Sequence, residues 1–580
     1  MVDDIGRRCA DARQRLERRA HIASAPVTHY RLPPERSFTA QERGHVTILF
    51  GGLSARHERL IKAVFDSCGY RSQPLPQPDL AACLTGKQYC NPGVCNPAYF
   101  TVGNLIRFLQ QLEATGLSKP EIIDRYVFFT AGSCGPCRFG MYEMEYRLAL
   151  RNAGFGGFRV LLFQQDHGVK ADTREPGLEL SLHLALGAVR AFTIADALQS
   201  FGCETRPYEI APGLTDRSVD RAIEIAAASI AGRRSVRAPE GAPAWLYRLV
   251  GAGRLEPYAN AWAHLYGADT GRILRECRAA LQPIDVDRLR VKPVVKVTGE
   301  FWAQSTETDG NFRMFSFLER EGAHVLVEPL GGWVLYLLQH ARVRVFERRG
   351  LSVPRGGSIA SRTAAVCRED ARLALRWLLV EIGERLYRHQ YDRLRRALNV
   401  ARPLLDQRAL ARLADPFYRQ LARGGEGHLE VAKNIYYTTH GEAHMVLSLK
   451  PFGCMPSTQS DGVQAALLSR LKDTTFLSVE TAAEGELAAQ SRVEMALVEA
   501  RQRAQDEFRR ALASSGCQLD DIRRYVADHP ELRAASYRVP RRNRVAGVAA
   551  NFVLHVADRM HDRWLSRRGC TAEVPYGSPS

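Results

Sequence analysis

Tyr126-Val-Phe-Phe-Thr-Ala-Gly-Ser-Cys-Gly-Pro-Cys137 is the segment on which the reading of the fold turns. Its apolar run, Tyr126–Thr130, ends in a glycine turn and reads as a buried strand; a helix is expected from about 140 to 152. The same succession stands on either side. His45-Val-Thr-Ile-Leu-Phe50 is an expected strand, ended by Gly51-Gly52 and followed by a helix over roughly 55–68. Phe158-Arg-Val-Leu-Leu-Phe163 is a third strand. Residues 71–98 hold five prolines and few periodic apolar positions, which predicts an ordered loop. Leu105, Ile106, Leu109 and Leu112 then repeat at helical spacing, in a helix starting near 98. Strand, glycine turn, helix, strand is the rhythm of a parallel doubly wound sheet.

That rhythm recurs. Pro293-Val-Val-Lys-Val-Thr298 ends in Gly299-Glu300, and His324-Val-Leu-Val-Glu-Pro329 is the next expected strand. Met445-Val-Leu-Ser-Leu449 runs into Lys450-Pro-Phe-Gly-Cys-Met-Pro456; Thr475–Val479 is a further strand and 484–513 a helix. Residues of about 175–290 read as mainly helical, and 360–424 as long Arg-rich amphipathic helices. The expected fold class is α/β: two doubly wound, Rossmann- or flavodoxin-like lobes with parallel sheets, joined by helical segments. The expected divisions are a basic extension over 1–44, lobe 1 over 45–175, a helical connecting region over 176–290, lobe 2 with a helical insertion over 291–515, and a basic extension over 516–580. No internal repeat is visible.

At 580 residues the chain is too long for one hydrophobic core. No apolar run approaches a membrane span, and the polar, Arg-rich start lacks the apolar core of a secretory signal. The cytoplasm is therefore the expected compartment and no membrane partner is expected. Lys and Arg number 80 against 63 Asp and Glu, a formal net charge of +17. Such a balance favours anionic partners in general. No RRM, zinc-finger or helix-turn-helix pattern turns it into nucleic-acid recognition, so the excess reads as solvated, Arg-rich helix faces.

Thirteen cysteines, an odd number, in a large chain of this kind do not suggest a disulfide framework. Five sit in Gly/Pro-rich segments: Cys90, Cys95, Cys134, Cys137 and Cys454. Cys134 and Cys137 follow one expected strand and Cys454 another, while Cys90 and Cys95 precede a helix. In open parallel sheets functional groups gather at such strand ends. Thiolates bind iron, and backbone N–H groups and helix N-termini stabilise an anionic cluster. The pattern C-x4-C, C-x2-C and a distant lone cysteine thus points to an iron–sulfur cluster in a cleft between the lobes. Other readings stay open on spacing alone. Cys90, Cys95, Cys134 and Cys137 suit a structural zinc; Cys134-Gly-Pro-Cys137 after a strand suits a thioredoxin-like redox pair; and buried thiols need no function.

These segments resemble the 2-hydroxyacyl-CoA dehydratase and benzoyl-CoA reductase superfamily, in particular the cluster-binding region of acyl-CoA dehydratase activase-related proteins. The resemblance rests on Gly51–Leu60, Gly86–Asn104 and Ala131–Gly140 in the first half. In the second it rests on Gly299-Glu300 with Asn311, Glu321–Ala323, and Lys450–Pro456. It runs from about 45 to 510 in the family's order. It implies that Cys95, Cys137 and Cys454 ligate an oxygen-sensitive [4Fe-4S] cluster, with Cys90 and Cys134 as additional candidates. In such enzymes the cluster passes one electron to a CoA thioester, forming a ketyl radical, and a separate ATP-hydrolysing iron–sulfur activator supplies that electron. No nucleotide-binding motif is present here, so the activator is expected to be another polypeptide. The resemblance also implies a homodimer or a dimer with a related chain. The extra cysteines are similar to those of double-cubane cluster proteins, which reduce small molecules. A non-enzymatic iron–sulfur sensor or assembly protein is the third reading. No substrate-binding residue matches, so the acyl-CoA substrate is carried by family analogy.

Other candidates lie at strand ends. Glu300 is a candidate acid/base or activator contact, and His167, in Gln164-Gln-Asp-His-Gly168, a candidate hydrogen-bond donor to cluster or substrate. Lys450 is expected to offset cluster charge and Arg138 to pair with an acidic group. His57 and Arg59, on the first helix, are expected at the surface.

Overall fold

The computed structural model describes residues 2–20, 35–132, 137–164, 168–169, 176–233, 264, 267–347, 349, 358–400, 402–422, 425–471 and 475–567. Residues 1–36 form a unit of their own, containing the helix Val2–Arg19; all else belongs to a second unit, 37–580. That second unit holds two sheets.

The first sheet contains β1 (Thr47–Phe50), β2 (Arg71–Pro74), β3 (Tyr126–Gly132), β4 (Arg159–Gln164) and β5 (Gly168–Val169), in the order β2-β1-β3-β4-β5. Its first four strands are parallel and β5 runs antiparallel to β4. The second contains β6 (Val294–Gly299), β7 (His324–Leu326), β8 (Met445–Pro451) and β9 (Phe476–Thr481), all parallel, in the order β7-β6-β8-β9. Strand for strand, the second sheet repeats the parallel part of the first, although the sequence shows no repeat.

Each sheet is covered on both faces, which is why its strands read as continuous apolar runs. Ile48 and Phe50 of β1 face a core built with the helices Ala55–Ser67, Leu182–Thr205, Leu214–Ala231 and Ala268–Leu281. Leu49 faces the opposite way, toward the helices Asn96–Ala114 and Tyr142–Asn152. The described helices of the segment expected to connect the lobes, Leu182–Thr205, Leu214–Ala231 and Ala268–Leu281, therefore form one layer of lobe 1. In lobe 2, Val295 and Val297 pack on the helix Glu486–Ser515, while Val294 and Val446 face Tyr437 on the other side.

The expected loop over 71–98 is a correction: it contains β2 and a helix, Leu80–Tyr89. That helix lies so close to Asn96–Ala114 that a Cβ built on Gly103 would stand 1.9 Å from the Ala82 carbonyl oxygen. One on Gly86 would stand 2.0 Å from that of Tyr99. The described part of the basic C-terminal stretch, up to residue 567, also folds. Ile522, Leu532, Phe552, Val553 and Val556 form a core of their own. Arg288 ties it down by donating to the carbonyls of Leu532 (2.6 Å) and Ala534 (2.8 Å). Among the described residues no helix is long and apolar enough to cross a membrane.

Candidate functional site

Three loops from two lobes meet at one seam. Cys95 is the N-cap of Asn96–Ala114, Cys454 the N-cap of the helix Met455–Leu468, and Cys137 precedes the short turn of 3-10 helix Arg138–Met141. Pro97 and Pro456 lie in the first turns of the two long helices, where a missing N–H costs nothing. The Asn96 N–H, next to Cys95, donates to the Phe452 carbonyl, two residues before Cys454, at 3.0 Å. A Cβ on Gly453 would sit 3.4 Å from the Cys95 Cα; that glycine has φ +75°, a conformation other residues rarely adopt. A Cβ on Gly425 would meet Pro456 Cγ at 2.4 Å and stand 3.7 Å from Cys137 Cβ. The structure thus brings Cys95, Cys137 and Cys454 together, Cys137 and Cys454 at the ends of the corresponding strands β3 and β8.

Cys90 is placed differently. It ends the Leu80–Tyr89 helix, where burial pushes its thiol up to about 12 and Glu145 and Cys83 add to the effect. Cys134 and His167 lie outside the described residues.

Cys95 and Cys454 are each 7% exposed, Cys137 half-buried. Burial raises all three thiols, that of Cys137 to about 12. Glu300 raises all three further, and Glu426 adds its effect at Cys137 and Cys454. Against this, the Tyr142 hydroxyl lies 2.9 Å from Cys95 Sγ. Glu300 caps the helix Phe301–Ser305, accepting from Ala303 N–H at 3.0 Å, and Glu426 accepts from Phe301 N–H at 2.6 Å. Burial holds both carboxyls well above the usual carboxylate range. Glu426, Glu430 and Tyr142 escaped the sequence reading. Glu426 had a signal, the turn Gly424-Gly-Glu-Gly427 opening a helix; Tyr142 had none.

Lys450 is buried and pairs with Glu430 (3.6 Å) and Asp461. Arg138 was expected to meet an acid; it donates instead to the Gly93 carbonyl, tying the Cys137 loop to the loop before Cys95. His57 corrects the expectation of a surface role. It is 3% exposed, between Ser54 Oγ (2.7 Å) and Asp196 (3.1 Å), while Arg59 is exposed. Asp196 also accepts from Leu330 N–H (2.8 Å) and Gly331 N–H (2.7 Å), at the start of the helix Leu330–Glu347, and so joins lobe 1 to lobe 2.

The helix behind Glu426, Gly427–Thr439, is anchored to the second sheet by a buried ion cluster. Glu328 bonds Lys296 of β6 at 2.7 Å and Lys433 of that helix at 3.1 Å. Gly299 sets the other carboxylate. With φ +120° it turns the chain at the end of β6, and the Glu300 N–H reaches the Leu449 carbonyl at 3.0 Å. A Cβ there would lie 2.1 Å from that oxygen. Gly299→Ala is expected to cost about 2–3 kcal/mol in denaturant unfolding, because backbone must move to admit the methyl. Wild-type stability in the variant would contradict the close approach.

Among the described residues, no three His, Cys, Asp or Glu side chains are set to hold a metal ion. The thiolates of a cluster surround a cage of several atoms rather than a single ion. The donor set fits a cluster: three thiols from separate loops, two of them, Cys95 and Cys454, at helix starts where backbone N–H groups stabilise negative charge. No family model matches this chain and no curated protein matches it.

Proposed function

We propose that Cys95, Cys137 and Cys454 hold a [4Fe-4S] cluster, and that this chain is the iron–sulfur component of an ATP-activated system resembling 2-hydroxyacyl-CoA dehydratases and reductases. The observation that carries the reading is the meeting, from loops up to about 360 residues apart in sequence, of buried Cys95 and Cys454 at two helix starts with half-buried Cys137 before a turn of 3-10 helix. When bound, such a cluster supplies one-electron chemistry to a CoA thioester. The chain's own residues prepare the place. The helix starts at Cys95 and Cys454 offset thiolate charge. The Tyr142 hydroxyl orients Cys95 Sγ. Lys450 balances Glu430, one turn beyond Glu426, without reaching out of the core. Glu300, raised by burial to about 7, and Glu426, raised well above the usual carboxylate range, are the candidate acids of the site. A separate ATP-hydrolysing activator is the proposed electron donor.

Purification without oxygen tests this. About four irons with matching sulfide per chain, and an EPR signal on reduction, are expected. About eight irons would shift the reading to a double cubane drawing on Cys90 and Cys134. Zinc without sulfide would overturn both.

A further inference from the structure

On the face of the first sheet opposite the Asn96–Ala114 helix, the helices Leu182–Thr205, Leu214–Ala231 and Ala268–Leu281 pack together and leave a cavity of about 280 Å³. None of the cysteine loops reaches it. Among the described residues its walls carry three guanidinium groups, Arg190, Arg233 and Arg272, and no carboxylate. Ser229 adds a hydroxyl, and Ala228 and Ile273 make an apolar side. Arg190 is only 6% exposed. A guanidinium spreads five N–H donors over a planar fork, so one engaged by a neighbour keeps donors for an oxyanion. Beside Arg190 and Arg233 lies a buried histidine pair, His264 Nε2 to His183 Nδ1 at 2.9 Å. Burial lowers both rings, His264 to about 3, and Arg233 lowers both further. The place is therefore a buried one in a positive field. His264 Nδ1 is buried and meets no hydrogen-bond partner among the described residues, a deficit that calls for a polar occupant nearby.

We propose that this cavity binds a small phosphate monoester, with Arg190, Arg233 and Arg272 on the phosphate and Ala228 and Ile273 against the carbon skeleton. The charge carries the first half of the assignment. Planar N–H forks match phosphate oxygens two at a time, and arginines out of bulk water are screened less by salt than those on the surface. The size carries the second. About 280 Å³ is roughly twice the ~150 Å³ of a cavity that takes up benzene, which leaves room for roughly a dozen non-hydrogen atoms. Inorganic phosphate fills less than half of that, and a nucleotide exceeds it. A phosphate on a short, hydroxylated carbon chain fits, and the apolar side gives the chain a wall to lie on.

Equilibrium dialysis of the full chain against glycerol 3-phosphate, in about 0.15 M salt, tests the proposal. Binding at about millimolar strength or tighter is expected, with inorganic phosphate a weaker competitor. Arg190→Met and Arg272→Met are each expected to weaken binding about tenfold, the loss of one charge-assisted contact. Arg272 is exposed, so its variant reads the site even where Arg190→Met fails to fold. Arg221→Met, at an exposed position on the Leu214–Ala231 helix, is expected to bind as the wild type does. Absence of binding at millimolar ester would overturn the proposal, and so would wild-type affinity in both Arg190→Met and Arg272→Met. Equal weakening by Arg221→Met would reduce the binding to attraction by net charge and overturn it as well. Inorganic phosphate held as tightly as glycerol 3-phosphate would overturn the assignment to an ester.

Discussion

Cys95→Ala, Cys137→Ala and Cys454→Ala are each expected to emerge from oxygen-free purification with almost no iron or sulfide. Cys517→Ala is expected to keep the wild-type content. The contrast follows from position. Cys517 packs beside the C-terminal core of Ile522 and Leu532, away from the seam. Of the other three, Cys95 and Cys454 stand at helix starts and Cys137 before a turn of 3-10 helix, and their loops touch one another. Two thiolates leave a cluster open on two sides, and burial raises the neighbouring carboxyls of Glu300 and Glu426, which disfavours the carboxylate form a ligand needs. Cys90→Ala separates the two cluster readings: retained iron supports three ligands, while loss of half supports a double cubane. Full cluster retention in any of the first three variants would remove that residue from the ligand set.

Glu328→Gln is expected to lower stability by about 3–5 kcal/mol, because it strands two buried ammonium groups. Lys296 and Lys433 are 1% and 3% exposed and share this one carboxylate. Burial alone would raise the Glu328 carboxyl, but the two lysines outweigh it and hold it at about 2, below its ordinary 4.5. A depressed carboxyl stabilises the fold above its unfolded-state value and loses that contribution as it takes up a proton. The wild type should therefore weaken as pH falls from 4.5 toward 2, and the variant should lack that part of the slope. Urea unfolding across that range reads both effects. An unchanged midpoint at neutral pH would show that the lysines have other means of compensation.

The parallel strands were legible because strands buried on both faces are unbroken apolar runs, as in Val294–Val297 and Met445–Leu449. Polar β2, Arg71–Pro74, was not. It lies at the sheet edge, where Arg71 and Gln73 face solvent and a terminal proline is tolerated. The helix Leu80–Tyr89 was hidden for a different reason. It docks through glycine contacts with a neighbouring backbone and has no apolar stripe to reveal it. The C-terminal fold rests on pairings distant in sequence, such as Arg288 with Leu532, which local periodicity does not carry. At the site, the cysteines announced themselves through Gly and Pro spacing. That spacing also coupled Cys90 to Cys95, and only the turn of the chain after Tyr89 sets Cys90 beside Glu145. The carboxyls of Glu426 and Glu430 reach the seam by folding of the insertion between β7 and β8, which no short motif reports.

The matched order of the two sheets bears on how such a protein arises. If an ancestral gene encoded one lobe, its product paired with itself would have brought the ends of two equivalent third strands face to face, a cysteine on each. Duplication and fusion would then free the halves to diverge. One could lengthen the segment between its second and third strands into the helices that present Cys95, while the other filled the same interval with the long helical insertion. On that history the asymmetry of two cysteines against one is the later invention, and the meeting of strand ends the older.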